Sequence, residues 1–445
     1  MSEQPAVDRR EIIRLAVPAF LALVAEPLFL VADSAIIGHL GTTALAGLGV
    51  AGSVLLTAAG IFIFLAYATT STVARLVGAG RDDDALAAGL DGLWLSLVLG
   101  GLTASAVAVG AGPLAGAFGA SAAAHAEAVT YLRVGALGLP GMLAVLALTG
   151  VLRGLLDTRT PLLVSVAGFG ANIVLNLLFV FGFGWGIAGS AWGTVLAHTG
   201  MAVALAAVVL RRAHATSTPM RPHPGRVLAA ARSGIPLVVR TIALRGALLA
   251  TVWAAAGLGD APLAAHQVTA TVWSFLAFAL DALAIAGQAV IGRDLGAGRV
   301  ERARAATRTM LRWGLGYGLA LGLLTVVLRE PIARIFTPDP QVLGYAASAL
   351  VVAGLGQVVS GYVFVADGVL MGAGDFRYLA IAMAGGLAAY LPVVWLLARA
   401  ADHGQLTPSA ALGWLWAAFT GFMLTRAITL GWRLRGSAWA VTGAR

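Results

Sequence analysis

Residues 264–290 read AAHQVTATVWSFLAFALDALAIAGQAV and contain a single charged residue, Asp281. The stretch is longer than the roughly 20 apolar residues that an α-helix needs to cross a hydrocarbon core of about 30 Å. Backbone N–H and C=O groups find no partner in lipid, so a crossing segment must satisfy them internally as a helix. The stretch therefore predicts a membrane-spanning α-helix.

The rest of the chain has the same character. Residues 15–30 and 345–365 are similarly poor in charge, and the 445-residue sequence is 59% hydrophobic and 11% charged. Soluble domains carry about 25% charged residues. The alternating segments of about ten residues that mark a membrane β-barrel are absent. We therefore predict an all-α integral membrane protein. Because the chain contains no cysteine, disulfides and thiolate metal sites are excluded.

Turn signals and charge clusters divide the sequence into twelve apolar segments. In the first half we expect helices at residues 11–40, 43–76, 85–111, 125–153, 161–183 and 187–210. In the second half we expect them at 227–256, 262–295, 303–328, 341–371, 378–400 and 408–434. Several segments exceed the usual span, so we expect them to tilt or to project into water.

The basic residues indicate how the chain is oriented. All 29 are arginine, and nearly all of them lie between the apolar segments. With the N-terminus inside, the inner loops hold most of them, whereas the outer loops hold only Arg329, Arg334 and Arg399. The positive-inside rule therefore places both termini in the cytoplasm of a multi-pass inner-membrane or plasma-membrane protein. This distribution also explains the pI of about 10.8 without a nucleic-acid partner.

An internal repeat organises the chain. One constant shift along the sequence, which we call the repeat shift, carries Gly78-Ala79-Gly80-Arg81 onto Gly296-Ala297-Gly298-Arg299 and residues 150–159 onto 368–377. We therefore predict two homologous six-helix bundles. Because six is even, both should enter the membrane in the same orientation, with pseudo-twofold symmetry along the membrane normal. The expected divisions are an N-lobe at 1–212, a cytoplasmic linker at 213–226 and a C-lobe at 227–445.

Ionisable residues inside the membrane are costly and usually mark a transport path. Glu26 and Asp33 are two helical turns apart, so they share one face of the first helix. Asn172 and Asn176 share a face of the fifth helix. We predict that Asp33, Asn172 and Asn176 form a coupling site that a small cation alternately fills and leaves. For Glu26, a role in the substrate cavity and a structural ion pair with an arginine remain alternatives.

The second half contains further polar candidates. Asp281 and Asp367 are the membrane acids there, with Arg240 and Arg245 as candidate countercharges. A buried ion-pair network and a coupling role are both open for this group. Gln267, beside His266, is a secondary polar candidate. Neither a nucleophile with its base nor paired metal-binding acids can be found, so we expect a non-enzymatic protein without a cofactor.

At several landmarks the sequence resembles the multidrug and toxic compound extrusion (MATE) family. The matching strings are VADSAIIGHLG at 31–41, LRGLLDTR at 152–159, LAAHQV at 263–268 and ALDALAIAGQA at 279–289. The first and last look closest to the DNA-damage-inducible protein F (DinF-like) branch. The resemblance implies an antiporter, with the aspartate matching Asp33 and the asparagine matching Asn172 in its N-lobe site. Asn176 stands where many prokaryotic members have a second aspartate.

These observations lead to an expected function. We expect a cation-coupled exporter of small organic, cationic or amphipathic molecules that works as a monomer among membrane lipids. Protons are favoured over sodium because Asn176 leaves Asp33 as the one certain carboxylate of its cluster, although a sodium site at Asp281 and Asp367 is open. The alternatives are a flippase for a lipid-linked or polysaccharide precursor and a membrane-embedded transferase.

Overall fold

The computed structural model describes residues 9–216 and 218–443, and all regular secondary structure in that part is helical. The first eight residues, residue 217 of the predicted linker and the last two residues fall outside it. The described α-helices are α1 (Arg9–Gly38), α2 (Thr42–Ile61), α3 (Phe64–Gly78), α4 (Asp82–Val109), α5 (Ala111–Gly116), α6 (Ala122–Gly135), α7 (Leu139–Gly154), α8 (Arg159–Leu177), α9 (Gly186–Ala215), α10 (Pro224–Ala256), α11 (Asp260–Gly296), α12 (Val300–Val327), α13 (Arg329–Phe336), α14 (Pro340–Leu355), α15 (Gln357–Gly372), α16 (Phe376–Asp402) and α17 (Pro408–Arg435).

Across these described residues, eleven helical stretches are long and apolar enough to cross a membrane, and the bent pair α14–α15 provides a twelfth. The expectation of an all-α membrane protein with twelve spans is thereby confirmed. Large apolar side chains lie on the outer surfaces, with Val109, Ile335 and Trp432 exposed by 88%, 80% and 76%. Exposed apolar surface of this extent is typical of lipid-facing helices.

Three predicted segments contain breaks that the sequence analysis missed. Segment 43–76 is interrupted between α2 and α3, and segment 125–153 contains a 3₁₀ turn at Ala136–Gly138. Segment 341–371 bends by 49° between α14 and α15. A Cβ on Gly356 at that bend would lie 2.6 Å from the Thr420 hydroxyl of α17. The bend is therefore set by a tertiary contact, which a local sequence pattern does not reveal.

The predicted repeat recurs in the helix boundaries. The repeat shift carries α4 onto α12 and α7 onto α15, with the same first and last positions. A close backbone contact in the first half also recurs in the second half. A Cβ on Gly150 would lie 2.5 Å from the Ala66 carbonyl oxygen, and a Cβ on Gly368 would lie 2.3 Å from that of Ala284. The two halves therefore share the glycine contacts that let backbones approach closely.

The turn after α7 also recurs, but with a different residue at its left-handed position. Leu156 there has φ of 61°, and its equivalent Gly374 has φ of 73°. The left-handed conformation is unfavourable for a residue with a Cβ. Hydrogen bonds that reverse the chain direction stabilise this turn. One of them runs from the Asp157 N–H to the Leu152 carbonyl at 2.8 Å.

The chain forms two compact units. The N-terminal unit comprises residues 14–234 with residue 443, and its central helix is α7, which packs on α3, α4 and α9. Its interior contains two apolar clusters, one around Leu132 and Leu139 and the other around Leu148 and Val151. The linker belongs to this unit. Asp91 of α4 accepts hydrogen bonds from the Arg226 guanidinium (2.6 Å) and the His223 backbone N–H (3.1 Å).

The C-terminal unit comprises residues 9–13 with 235–442. Its central helix is α15, the repeat equivalent of α7, which packs on α11, α12 and α17. The first turn of α1 is held here, because Glu11 accepts two hydrogen bonds from Arg293 of α11, at 2.5 and 3.0 Å. One continuous helix, α1, therefore begins in this unit and continues into the other.

Candidate functional site

The N-terminal unit encloses a cavity of about 270 Å³. Helix α1 contributes one complete face to its lining, because Glu26, Phe29, Leu30, Asp33 and Ser34 follow the i, i+3, i+4, i+7, i+8 spacing. The remaining lining comes from α2 and from α6 to α9. The predicted shared face of Glu26 and Asp33 is thus the wall of a cavity large enough for a small molecule.

Asp33 lies at the inner edge of this cavity and is 4% exposed. Its Oδ1 accepts one hydrogen bond from the Asn176 amide and one from the Ser190 hydroxyl, both at 2.7 Å. Within residues 9–216 and 218–443 no arginine or histidine lies within ion-pair distance of Asp33. The carboxylate is therefore held by neutral donors, a setting in which it can exchange a proton or a small cation.

Asn172 and Asn176 are fully buried on the face of α8 that meets Asp33. The Asn172 amide donates to the Thr194 hydroxyl at 3.3 Å. The side-chain oxygens of both asparagines are buried without a hydrogen-bond partner among the described residues. A Cβ on Gly193 would lie 1.9 Å from the Asn176 oxygen, so only glycine leaves room for that amide. Buried amide oxygens without a partner are costly, and such a group indicates a place where a ligand binds.

Four further residues complete the cluster, and the sequence analysis missed all of them. Ser190, Thr194 and His198 recur every fourth residue along α9, and Tyr131 of α6 lines the cavity together with Thr194 and His198. The His198 Nδ1 donates to the Thr194 carbonyl at 2.9 Å, because a carbonyl can only accept. The polar stripe along α9 is the sequence signal that could have identified three of them.

One wall of the cavity is aromatic. The Phe29 and Phe169 rings stack with centroids 5.1 Å apart and an interplanar angle of 10°. The His198 ring meets the edge of Phe169 at 6.5 Å. All three residues line the cavity together with Tyr131. This wall provides a flat surface for an aromatic molecule.

The C-terminal unit does not repeat the Asp33 site. The repeat shift places Thr251 and Tyr390 at the positions of Asp33 and Asn172. Their hydroxyls are hydrogen-bonded to each other at 2.7 Å, and both residues are buried. The positions of Asp33 and Asn172 are therefore taken by two neutral hydroxyl groups in the second half, and the position of Asn176 is taken by Val394.

The membrane acid Asp367 has arginine partners instead. Arg240 donates to its Oδ2 at 2.6 Å, and Arg426, which the sequence analysis missed, donates to the same oxygen. All three side chains are largely buried, with exposures of 11% or less. Two guanidinium groups on one carboxylate favour the ion-pair alternative for Asp367 over a sodium site, because the carboxylate is already neutralised.

The other candidates of the second half differ in how far they are buried. Asp281 is half-buried on α11, whereas Gln267 and Arg245 are exposed. His266 is 3% exposed and its ring lies 5.6 Å from that of Trp416, which is a packing role. No group of three or more His, Asp or Glu side chains suited to a metal ion is found in the part of the chain that the structure describes.

Known proteins resemble this chain over nearly its whole length. The family model described as MatE matches residues 18–178 and 236–396, two stretches that the repeat shift superimposes end to end. Protein DETOXIFICATION 44, chloroplastic, of Arabidopsis thaliana is 32% identical over 440 residues, covering 95% of this chain and 82% of that protein. Multidrug resistance protein MdtK of Edwardsiella ictaluri is 28% identical over 456 residues, covering 96% and 95%.

Solved structures share the fold. The Vibrio cholerae MATE transporter VcmN in its bent form superimposes with a TM-score of 0.87 at 22% identity, covering 97% of this chain and 98% of that one. At this identity the likeness supports the architecture of twelve spans in two repeats.

Proposed function

This chain belongs to the MatE family of multidrug and toxic compound extrusion transporters, and from that premise we propose that it exports small cationic or amphipathic organic compounds in exchange for protons. Membership of the family gives the class of activity, which is transport across a membrane rather than catalysis. The coupling ion and the chemistry of the cargo are inferred from the cavity of the N-terminal unit.

The surroundings of Asp33 carry the proposal. An ionised carboxylate only accepts hydrogen bonds, and Asp33 accepts two, from Asn176 and Ser190. A protonated carboxyl must donate one, and the unpartnered side-chain oxygens of Asn172 and Asn176 are buried acceptors in the same cluster. Proton uptake therefore exchanges one hydrogen-bonding arrangement for another. It also removes a charge from the membrane interior, where an unpaired charge is costly.

Helix α1 is the element that responds to this exchange. Pro18 and Pro27 lie inside it, and each removes a backbone hydrogen bond and lowers the cost of bending. Asp33 follows Pro27 by six residues and contacts α8 and α9 through Asn176 and Ser190. A change in those two contacts would thus alter how the outer half of α1 packs, and with it the shape of the cavity.

Protons suit this site better than sodium. A sodium ion loses its hydration shell on binding, and anionic ligands help to replace it. Asp33 contributes one carboxylate, whereas Asn172, Asn176 and Ser190 are neutral. A lone carboxylate removed from water takes up a proton readily. The cavity also has two acids and no arginine among its described lining residues, which favours a cationic cargo over the anionic cargo of a lipid-precursor flippase.

The test is transport by purified protein in liposomes in sodium-free buffer. With an acidic interior, proton efflux should drive the fluorescent cation N-methylacridinium into the vesicles. Asp33→Asn should abolish this accumulation. Asp84→Asn, the same change at an exposed ion pair with Arg81, should transport normally. Accumulation that requires added sodium would show that the proton assignment is wrong. Accumulation that persists in Asp33→Asn would show that Asp33 is not the coupling residue.

Orientation and assembly belong to the same proposal. We infer that both termini face the cytoplasm, since the arginine-rich loops lie on that side. We also infer that the monomer is the working unit, because the coupling cluster is built within one unit of one chain. Cysteine labelling at Ser2 and at Glu330 in intact cells would distinguish the two sides.

A further inference from the structure

Glu26 is the second acid of the cavity, and the coupling scheme does not use it. It lines the cavity with Asp33, is exposed there, and makes no hydrogen bond or ion pair with any described residue. The arginine partner that the sequence analysis considered for it is therefore not found in that part of the chain. An accessible carboxylate without a protein partner is available to pair with the positive charge of a ligand.

The surroundings of Glu26 indicate which ligand this is. Phe29 is three residues further along α1 and Leu30 four, so both side chains are its neighbours on the cavity face. Phe29 stacks on Phe169, so the carboxylate lies beside an aromatic wall. A flat aromatic cation would place its ring against that wall and its positive charge next to Glu26. A neutral compound of the same shape would contact only the aromatic wall and would leave Glu26 without a partner.

The two acids are spatially separate. Seven residues of helix correspond to a rise of about 10 Å, and only Asp33 reaches the polar cluster of α8 and α9. Asp33 has hydrogen-bond donors that hold it when it is ionised, whereas Glu26 has none. We propose that Glu26 is the specificity residue that binds the cationic group of the cargo, while Asp33 exchanges the proton. This inference rests on the proposed function, since it assigns the cargo end of the same cavity.

Direct binding to the purified protein in detergent micelles tests the assignment. The probes are N-methylacridinium and N-methylacridone, which share one three-ring framework and differ in their charge. Glu26→Gln should raise the Kd of N-methylacridinium by tenfold or more and should leave the Kd of N-methylacridone within twofold. Glu26→Asp should restore part of the cation affinity. Glu127→Gln, the same change at a residue of α6 outside the cavity lining, should leave both values unchanged.

The outcomes separate this inference from the proposed function. Asp33→Asn should bind N-methylacridinium within a few fold of the wild type while failing to accumulate it in liposomes. If Glu26→Gln leaves the cation affinity unchanged, or weakens both probes equally, the assignment of Glu26 is overturned, whatever Asp33→Asn does. If Asp33→Asn transports normally, the coupling scheme fails, and the binding result for Glu26 still stands on its own.

Discussion

The residue at position 176 decides how many charges surround the coupling site. Asn176 donates its amide to Asp33 at 2.7 Å, so an aspartate there would place two carboxylates in contact. Two acids at this distance cannot both stay ionised without a cation between them. We therefore expect Asn176→Asp to make transport sodium-dependent. Accumulation of N-methylacridinium driven by an imposed sodium gradient would measure this.

Asn176→Ala is the matched control, because it removes the same amide without adding a charge. It should impair proton-driven transport and should gain no response to sodium. If Asn176→Asp retains full proton coupling and ignores sodium, the number of carboxylates does not select the ion.

Asp157, in the turn after α7, makes the stability of the folded protein depend on pH. Burial would raise its pKa, but hydrogen bonds from the Thr160 N–H (3.0 Å) and hydroxyl (2.8 Å) and from Arg212 (2.7 Å) outweigh burial and hold the pKa below its usual value. A lowered pKa in the folded state contributes stability at neutral pH, and this is lost as the pH falls below about 4. Asp157→Asn should therefore cost about 1 kcal/mol at neutral pH.

Thermal unfolding in detergent at two pH values checks this. The melting temperature of Asp157→Asn should lie below that of the wild type at neutral pH, and the difference should shrink progressively as the pH falls below about 4. A difference that is independent of pH would mean that the carboxylate charge is not what stabilises the turn.

The residues of the proposed coupling site differ in how far the sequence could identify them. Asp33, Asn172 and Asn176 were predicted because an acid or a pair of amides stands out in an apolar helix and because their spacing defines a face. Ser190 and Thr194 were missed because small hydroxyl residues are common in membrane helices, where they bond to their own backbone. Their role depends on which helix packs opposite, and the spacing of residues on one helix does not contain that information.

At the scale of the element, the linker is anchored by a single carboxylate. Asp91 is 2% exposed and binds Arg226 and the His223 backbone, while the Trp94 indole donates to the Met220 carbonyl at 3.3 Å. Asp91→Asn removes the ion pair and should release the linker from α4. Tryptic cleavage after Arg226, which Val227 follows, should then become severalfold faster than in the wild type.

Asp84→Asn, on the same helix but in an exposed ion pair, provides the comparison for linker release. It should leave the cleavage rate unchanged. Equal protection in wild type and Asp91→Asn would show that the linker is held by its backbone alone.

Helix order and number followed from hydropathy, because lipid imposes helices of a minimum length. The breaks within the helical segments could not be predicted from hydropathy. The bend at Gly356 and the 3₁₀ turn at Ala136–Gly138 lie in segments of uniform apolarity, and they arise where another helix packs closely. The assignment to the DinF-like branch and the boundaries of the predicted lobes stay predictions.

At the scale of the whole molecule, the two halves share their helices but differ in their charges. Asp33 has neutral partners, whereas Asp367 has Arg240 and Arg426. Removing one member of a buried ion pair leaves an uncompensated charge and costs about 3–5 kcal/mol. Asp367→Asn should therefore lower the melting temperature markedly and should not create sodium dependence.

In contrast to Asp367→Asn, the Asp33→Asn variant should keep a melting temperature near that of the wild type. It should show no proton-driven transport. Arg245→Gln, at an exposed arginine of α10 without a described ion pair, should change neither property. If Asp367→Asn melts like the wild type but no longer transports, the C-terminal unit takes part in coupling.

The replacement of Asp33 by Thr251 in the second half has a consequence for the driving force. One coupling carboxylate exchanges one proton, so the export of a monocation moves no net charge and the membrane potential performs no work on it. Only the pH difference then drives export, with about tenfold accumulation for each pH unit, or about 1.4 kcal/mol. A neutral cargo would move one net charge, and a potential of 100 mV would add about 2.3 kcal/mol. If the proposed one-for-one proton exchange holds, clamping the potential with potassium and valinomycin should therefore leave the transport rate of N-methylacridinium unchanged, as expected of electroneutral exchange.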